Sequence, residues 1–328
     1  NVIFSPVLKK QNLTTIPKLS VLIPARNEEE NIEGILSDLQ EIPHENLEVI
    51  IFNDQSTDNT TALVNSFVES DSRFKLFHSE GLPDGWLGKN NACHKLAQAA
   101  TGEYFLFLDA DVRIKPDVIE SATAQMQQHK LKLLSIFPKQ IMVTPGEKIT
   151  VPVMNTILLS LLPLILTRAN SRPSLAAANG QFMLFEAETY RQIRPHEIMK
   201  TQKVEDILIA RYFKQNRLSM QCMTGNDSIT CRMYSSFQEA VHGFSKNIAE
   251  FFGGSHLAAF IYWFIGTFGI FSVIFSLNLF WIALTIFLMA AIKILVSVSS
   301  KQNSWENLLF AVPQQIVPAH MIWLSFRN

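Results

Sequence analysis

From Phe251 to Ile292 the chain runs 42 residues without an Asp, Glu, Lys or Arg. An uncharged apolar stretch of that length belongs in a bilayer or deep in a large core. Within it, His256–Ser276 and Leu279–Val298 are segments of about 20 residues separated by Leu277-Asn278. At 1.5 Å per residue, roughly 20 residues match a hydrocarbon thickness of about 30 Å. Two membrane spans are therefore expected. A third candidate, Leu308–Phe326, is interrupted by Pro313, Gln314, Gln315, Pro318 and His320. After Glu250 only Lys293, Lys301, Glu306 and Arg327 are charged. Residues 1–250 thus read as a water-soluble domain and 251–328 as a membrane region with two to three helices.

The formal net charge of −1 gives no basic face for nucleic acid, so no such partner is expected. Three cysteines, Cys93, Cys222 and Cys231, show no CxxC or Cys/His spacing and read as buried thiols of a reducing compartment. The chain begins at Asn1, which leaves open whether a hydrophobic segment precedes it.

The charged part alternates two periodicities. Leu19–Pro24, Leu47–Asn53, Phe74–His78 and Tyr104–Leu108 are short apolar runs, as expected of buried strands. Between them, Glu28–Leu39, Thr60–Ser70 and Asn90–Ala100 carry helical spacing. Strand–helix alternation of this kind predicts an α/β domain with a mainly parallel, Rossmann-like sheet. Ligands of such sheets lie beyond the carboxyl ends of the strands. Three polar clusters follow strands there: Ala25-Arg26-Asn27-Glu28, Asp54–Asp58 and Asp109-Ala110-Asp111. They are expected to converge on one crevice.

Asp109 and Asp111, one residue apart on a bend after Leu108, can meet Mg2+ or Mn2+ from one side. Such a cation takes one or two carboxylates plus phosphate oxygens and water. Lys89 follows a Gly-containing turn and is placed to meet diphosphate oxygens. A second carboxylate pair, Glu205-Asp206, opens a helix expected over 205–216, where acidic residues also favour the helix dipole. Ile149–Thr167 is a further uncharged stretch, but Pro152 and Pro163 make it a poor span. It reads as an interfacial or buried helix.

Ser20–Glu28, Val49–Thr60 and Phe107–Asp111, in this order and spacing, resemble the family-2 glycosyltransferases of the GT-A fold, over roughly residues 18–250. Gly85–Cys93 (GWLGKNNAC) is similar to a segment of bacterial enzymes that glycosylate carotenoid acids and of hopanoid-associated relatives. The resemblance implies a nucleotide pocket lined by Pro24, Ala25, Arg26, Glu28, Lys89, Asp109 and Ala110, with Asp54 on the uracil ring. It implies a metal at Asp109 and Asp111, and Asp206 as general base beside Glu205. Ala178-Asn179-Gly180-Gln181 matches the acceptor-side loop, through Asn179, Gly180 and Gln181. The implied reaction is an inverting transfer from a UDP-sugar, by single displacement at the anomeric carbon.

One departure bears on the product. The Gln-x-x-Arg-Trp segment of processive synthases is replaced by Ala240–Asn247 (AVHGFSKN), without the tryptophan. This favours transfer of one sugar. Lys246 is a candidate substitute for the missing arginine, and His242 a candidate neighbour of the metal. The expected acceptor is a lipid or other amphiphile, and the expected location a multi-pass cytoplasmic membrane with residues 1–250 in the cytoplasm. A processive polysaccharide synthase and a catalytically silent nucleotide-sugar-binding protein are the alternatives. A nucleotidyltransferase would carry a Gly-rich basic loop where Ala25–Glu28 stands. Sugar, acceptor and oligomeric state are not written in the sequence.

Overall fold

The computed structural model describes residues 5–13 and 15–327. The chain forms two compact units. The sheet unit comprises Pro6–Lys139 and Leu164–Cys231; the helical unit takes in Gln140–Pro163 and the chain from Arg232 onward. This division by compactness differs from the charge boundary at residue 250, because Gln140–Pro163 and residues 232–250 belong to the helical unit.

The sheet unit begins with β1 (Leu19–Ala25), α1 (Ile32–Gln40), β2 (Leu47–Asn53), α2 (Thr60–Ser70), β3 (Phe74–His78), α3 (Gly88–Ala99) and β4 (Tyr104–Leu108). These four strands pair in parallel. Leu22 and Ile50 are fully buried, as the continuous apolar runs of a sheet covered on both faces require. Helix α1 starts at Ile32, four residues later than its apolar spacing suggests. Glu28–Asn31 is held in a turn instead: the Glu28 N–H donates to Thr60 Oγ1 at 2.8 Å and the Glu29 N–H to Asp58 at 3.1 Å.

The unit continues with β5 (Val112–Ile114), α4 (Asp117–Gln128), β6 (Leu133–Phe137) and the two-residue β7 (Lys139–Gln140) at the exit. Within the helical unit the chain forms α5 (Pro145–Leu161). After its return come α6 (Leu166–Ala169), β8 (Phe182–Glu186), α7 (Ala187–Ile193), α8 (Pro195–Ile198), α9 (Glu205–Gln215), β9 (Met220–Thr224) and β10 (Ile229–Cys231). The seven-stranded order is β3-β2-β1-β4-β8-β6-β9. Strand β8 runs antiparallel to both neighbours, and β9 is parallel to β6. The expected mainly parallel GT-A sheet is thus present, with one reversed strand that the sequence pattern did not announce. Because β8 is reversed, the loop entering it lies at the end where β4 finishes. Phe105, Phe185 and Phe213 fill the core beneath.

In the helical unit, Thr144 and Glu147 form a capping box on α5. Glu147 is completely buried and pairs with Arg232 at 2.8 Å. The unit continues with α10 (Phe237–Ser245), α11 (His256–Phe275), α12 (Leu279–Ser299), α13 (Ser304–Leu309) and α14 (Ala311–Ser325). Val151, Val153, Met154 and Ile157 of α5 share a core with Val241, Phe244 and Met321. The apolar stretch 149–167 is therefore divided. Its first half packs within this core, the helix stops before Pro163, and Leu161 is exposed.

Helices α11 and α12 are long and apolar enough to cross a membrane. Phe264, Ile265, Phe275, Phe280 and Phe287 are exposed on them, unlike the side chains of a helix in a soluble core. The third candidate breaks at Phe310, leaving the 15-residue α14, roughly 22 Å long and shorter than a hydrocarbon core. Lys293 of α12 donates to Gln314 Oε1 of α14 at 2.8 Å.

Candidate active site

At the carboxyl end of β1, the backbone N–H of Asp54 donates to the Ala25 carbonyl at 2.8 Å, tying the first two polar clusters together. Asp54 is buried, and its Oδ2 lies 3.7 Å from the exposed Arg26 guanidinium. The turn that follows is made by other residues. Asn53 Oδ1 accepts from the Ser56 N–H, and Asp58 Oδ1 from the Thr60 hydroxyl. Asp54 is thereby left facing the cleft and Gly88. A Cβ on Gly88 would lie 2.8 Å from Asp54 Oδ2, which is why glycine opens α3.

Asp109 and Asp111 sit on the bend between β4 and β5. Lys89, on the first turn of α3, places its Nζ 2.7 Å from Asp109 Oδ1 and 2.8 Å from Oδ2. Asp111 is held differently. Its Oδ2 accepts from Gln181 Nε2 at 3.3 Å and from the Cys231 thiol at 3.2 Å, while Oδ1 is buried with no partner. Burial, and then the charge of Asp109, hold the Asp111 carboxyl above its usual range. Glu28 is raised too, mainly by burial, with Asp111, Asp109 and Asp58 adding to it against the Asn31 amide.

Pro24, Ala25, Arg26, Glu28, Asp54, Lys89, Asp109, Ala110 and Asp111 together line one cleft of about 420 Å³. The residues named from the sequence on the nucleotide and metal side thus converge on one place. Their donor set suits a hard divalent cation: all ligating atoms are oxygens, and one buried carboxylate oxygen lacks a partner. Among the described residues no group of three or more His, Cys, Asp or Glu converges on one point. Phosphate and water would have to complete the coordination sphere.

Glu205 and Asp206 stand on the first turn of α9. Asp206 Oδ2 accepts from the Gly180 N–H at 2.9 Å, and Oδ1 from the Ile207 N–H at 2.7 Å. Burial raises the Asp206 carboxyl, against these two donors and Lys89. Glu205 is pushed up to about 7 by burial, opposed by Lys89 and reinforced by Asp206. Lys89 Nζ is 3.9 Å from Glu205 Oε1. Burial works against the charge on Lys89, but Asp109 and Glu205 outweigh it and hold the ammonium above its usual range. With 40% of its side-chain surface open, Lys89 loses less to burial than it gains from the carboxylates. One lysine therefore joins the two carboxylate pairs.

Asn179, Gly180 and Gln181 form the turn entering β8, where Asn179 Oδ1 accepts from the Gln181 N–H at 2.8 Å. A Cβ on Gly180 would lie 3.4 Å from Lys89 Nζ and 3.6 Å from Glu205 Oε1. Gly180 thus stands beside Asp206. The Gln181 amide turns towards Asp111. His242 and Lys246 belong to α10 and its C-terminal cap in the helical unit. Cys231, read from the sequence as an ordinary buried thiol, is the residue missed. Its contact with Asp111 arises from pairing of β10 with β5, which sets Cys231 opposite Val112, and no local sequence signal marks that pairing.

A family model described as glycosyl transferase family 2 matches residues 20–194. The chain is 25% identical over 250 residues to a 4,4'-diaponeurosporenoate glycosyltransferase of Staphylococcus haemolyticus, covering 74% of this chain and 64% of the relative. It is 27% identical over 258 residues to the enzyme of that name from Staphylococcus aureus MRSA252, covering 76% and 66%. It spans a little under two thirds of the length of these relatives. Among solved structures, the mannosyltransferase PcManGT of Pyrobaculum calidifontis, in complex with GDP-Man and Mn2+, superposes with a TM-score of 0.55 at 18% identity. The match covers 73% of this chain and 64% of that one, and it shows a shared GT-A fold.

Proposed function

The chain belongs to glycosyl transferase family 2, and from that premise we propose that it moves one sugar from a nucleotide-sugar to a lipid-like acceptor at a membrane. The observation that carries this reading is Lys89, in contact with Asp109 on one side and close to Glu205 on the other. The groups suited to a leaving diphosphate and to an incoming nucleophile are thus one side chain apart. The donor is a UDP-sugar, with Asp54 on the base; the solved relative with GDP-Man keeps guanine as the variant to test.

In this mechanism Asp206 takes the proton of an acceptor hydroxyl as its oxygen attacks the anomeric carbon. The bond to the diphosphate breaks on the opposite face, and configuration inverts. The Gly180 and Ile207 N–H groups fix the Asp206 carboxylate for that transfer. Lys89 meets the diphosphate. A divalent cation at Asp109 and Asp111 would neutralise charge on the leaving group. The relatives' name points to a carotenoid carboxylate as acceptor. Such an acceptor arrives ionised, and Asp206 then has no proton to remove.

Residues 1–250 are proposed as the catalytic domain, facing the cytoplasm, with α11 and α12 as membrane spans. Both follow from the cytosolic supply of nucleotide-sugars and from the apolar surfaces of these helices. Membranes containing the chain, incubated with labelled nucleotide-sugars and then extracted for lipid, should yield a product with a single added sugar. A polymer would support a processive synthase. Neither transfer nor donor hydrolysis would leave a binding protein. A tag at Lys301 reached from outside intact cells would reverse the orientation.

A further inference from the structure

We infer that Cys231 and Gln181 are positioning residues of the metal site, turning Asp111 so that its Oδ1 points at the cation. The inference rests on the proposal that Asp109 and Asp111 hold a metal. The two oxygens of Asp111 are unequal: Oδ2 accepts two hydrogen bonds, from Gln181 Nε2 and the Cys231 thiol, and Oδ1 is buried with none. A buried carboxylate oxygen without a partner is costly unless something binds it.

The clamp is closed on itself. Gln181 Nε2 also donates to Cys231 Sγ at 2.8 Å, so the three side chains form a triangle around Oδ2. Each corner comes from a different part of the sheet unit. Asp111 leaves β4, Gln181 enters β8, whose first residue Phe182 pairs with Leu108, and Cys231 ends β10 opposite Val112. Cys231 and Gln181 are both almost fully buried, so two of the three corners are screened from solvent. Partners of metal ligands orient them in this way, and losing one commonly costs about 10–100-fold in metal affinity.

The test uses the full chain in nanodiscs with UDP or GDP, reading bound Mn2+ by electron paramagnetic resonance. Cys231→Ala and Gln181→Met should each weaken Mn2+ binding to the nucleotide complex by roughly tenfold or more. Cys231→Ser, which keeps a donor, should retain most of the affinity. Nucleotide binding in EDTA should stay unchanged in all three. Wild-type Mn2+ affinity in both Cys231→Ala and Gln181→Met would overturn the inference. So would a loss in Cys231→Ser equal to that in Cys231→Ala with matching drops in melting temperature, which would mark a packing role. If the wild-type nucleotide complex binds no Mn2+, the metal reading itself fails, and the clamp with it.

Discussion

Lys89 grips both oxygens of Asp109, at 2.7 and 2.8 Å, so the side chain suited to a diphosphate occupies a carboxylate suited to a metal. On the function proposed above, Asp109 would be freed for a cation when Lys89 turns to a diphosphate.

Lys89→Met should therefore have effects of opposite sign. Nucleotide binding should weaken by roughly 10–100-fold, the loss of a charge-assisted hydrogen bond of about 1.5–3 kcal/mol. Mn2+ binding without nucleotide should strengthen, because Asp109 loses its competitor. Calorimetric titration of Mn2+ and of UDP separately would check both; weakening of both would show that Lys89 only maintains the local fold.

Asp206→Asn should lower transfer to a hydroxyl acceptor by about 10²–10⁴, the usual worth of a general base, with donor binding nearly unchanged. With a carboxylate acceptor the loss should be much smaller. Comparing the variant on a long-chain alcohol and on a carotenoid acid would separate the two chemistries. Full activity on the alcohol would remove Asp206 from the base role.

Gly88→Ala puts a Cβ 2.8 Å from Asp54 Oδ2. Asp54 is short and buried, so it has to turn away from the cleft. The expected result is a donor KM raised about tenfold, equivalent to roughly 1.4 kcal/mol, with a small change in melting temperature. An unchanged KM would take Asp54 out of donor recognition.

Glu205, raised to about 7 from 4.5, binds more protons folded than unfolded. Its contribution to stability is full below about 4.5 and declines as pH rises towards 7. Glu48 runs the other way. Burial would raise it, but donors from Ser20, Thr101 and Lys75 lower it to about 2, so its contribution is full above about 4.5 and is lost as pH falls towards 2. Melting curves from pH 4.5 to 7 should accordingly flatten in Glu205→Gln. An identical slope in wild type and variant would contradict the assignment.

The strands and helices through β4 were legible because parallel strands buried on both faces write themselves as apolar runs. The polar clusters at Ala25–Glu28, Asp54 and Asp109–Asp111 followed, since each lies just beyond such a run, whereas Lys89 stands on α3. The reversal of β8 was not legible. Phe182–Glu186 reads the same in either direction, and only its neighbours β4 and β6 fix its orientation. With that reversal hidden, nothing in the sequence announces the contact of the Gln181 amide with Asp111. The start of α1 was misplaced because the bonds that hold Glu28–Asn31 in a turn come from Asp58 and Thr60, about 30 residues away.

The excursion of Gln140–Pro163 out of the sheet unit has a consequence for biosynthesis. The apolar residues of α5, Val151 to Ile157, pack against α10, which begins 80 residues after Ile157, and against α14, which begins 154 residues after it. At about 5–20 residues per second, this surface waits several seconds on the ribosome for its partners. Helices α11 and α12 are made within that interval, after α10 and before α14. Slowing translation between residues 160 and 240 should therefore increase aggregation of the nascent chain.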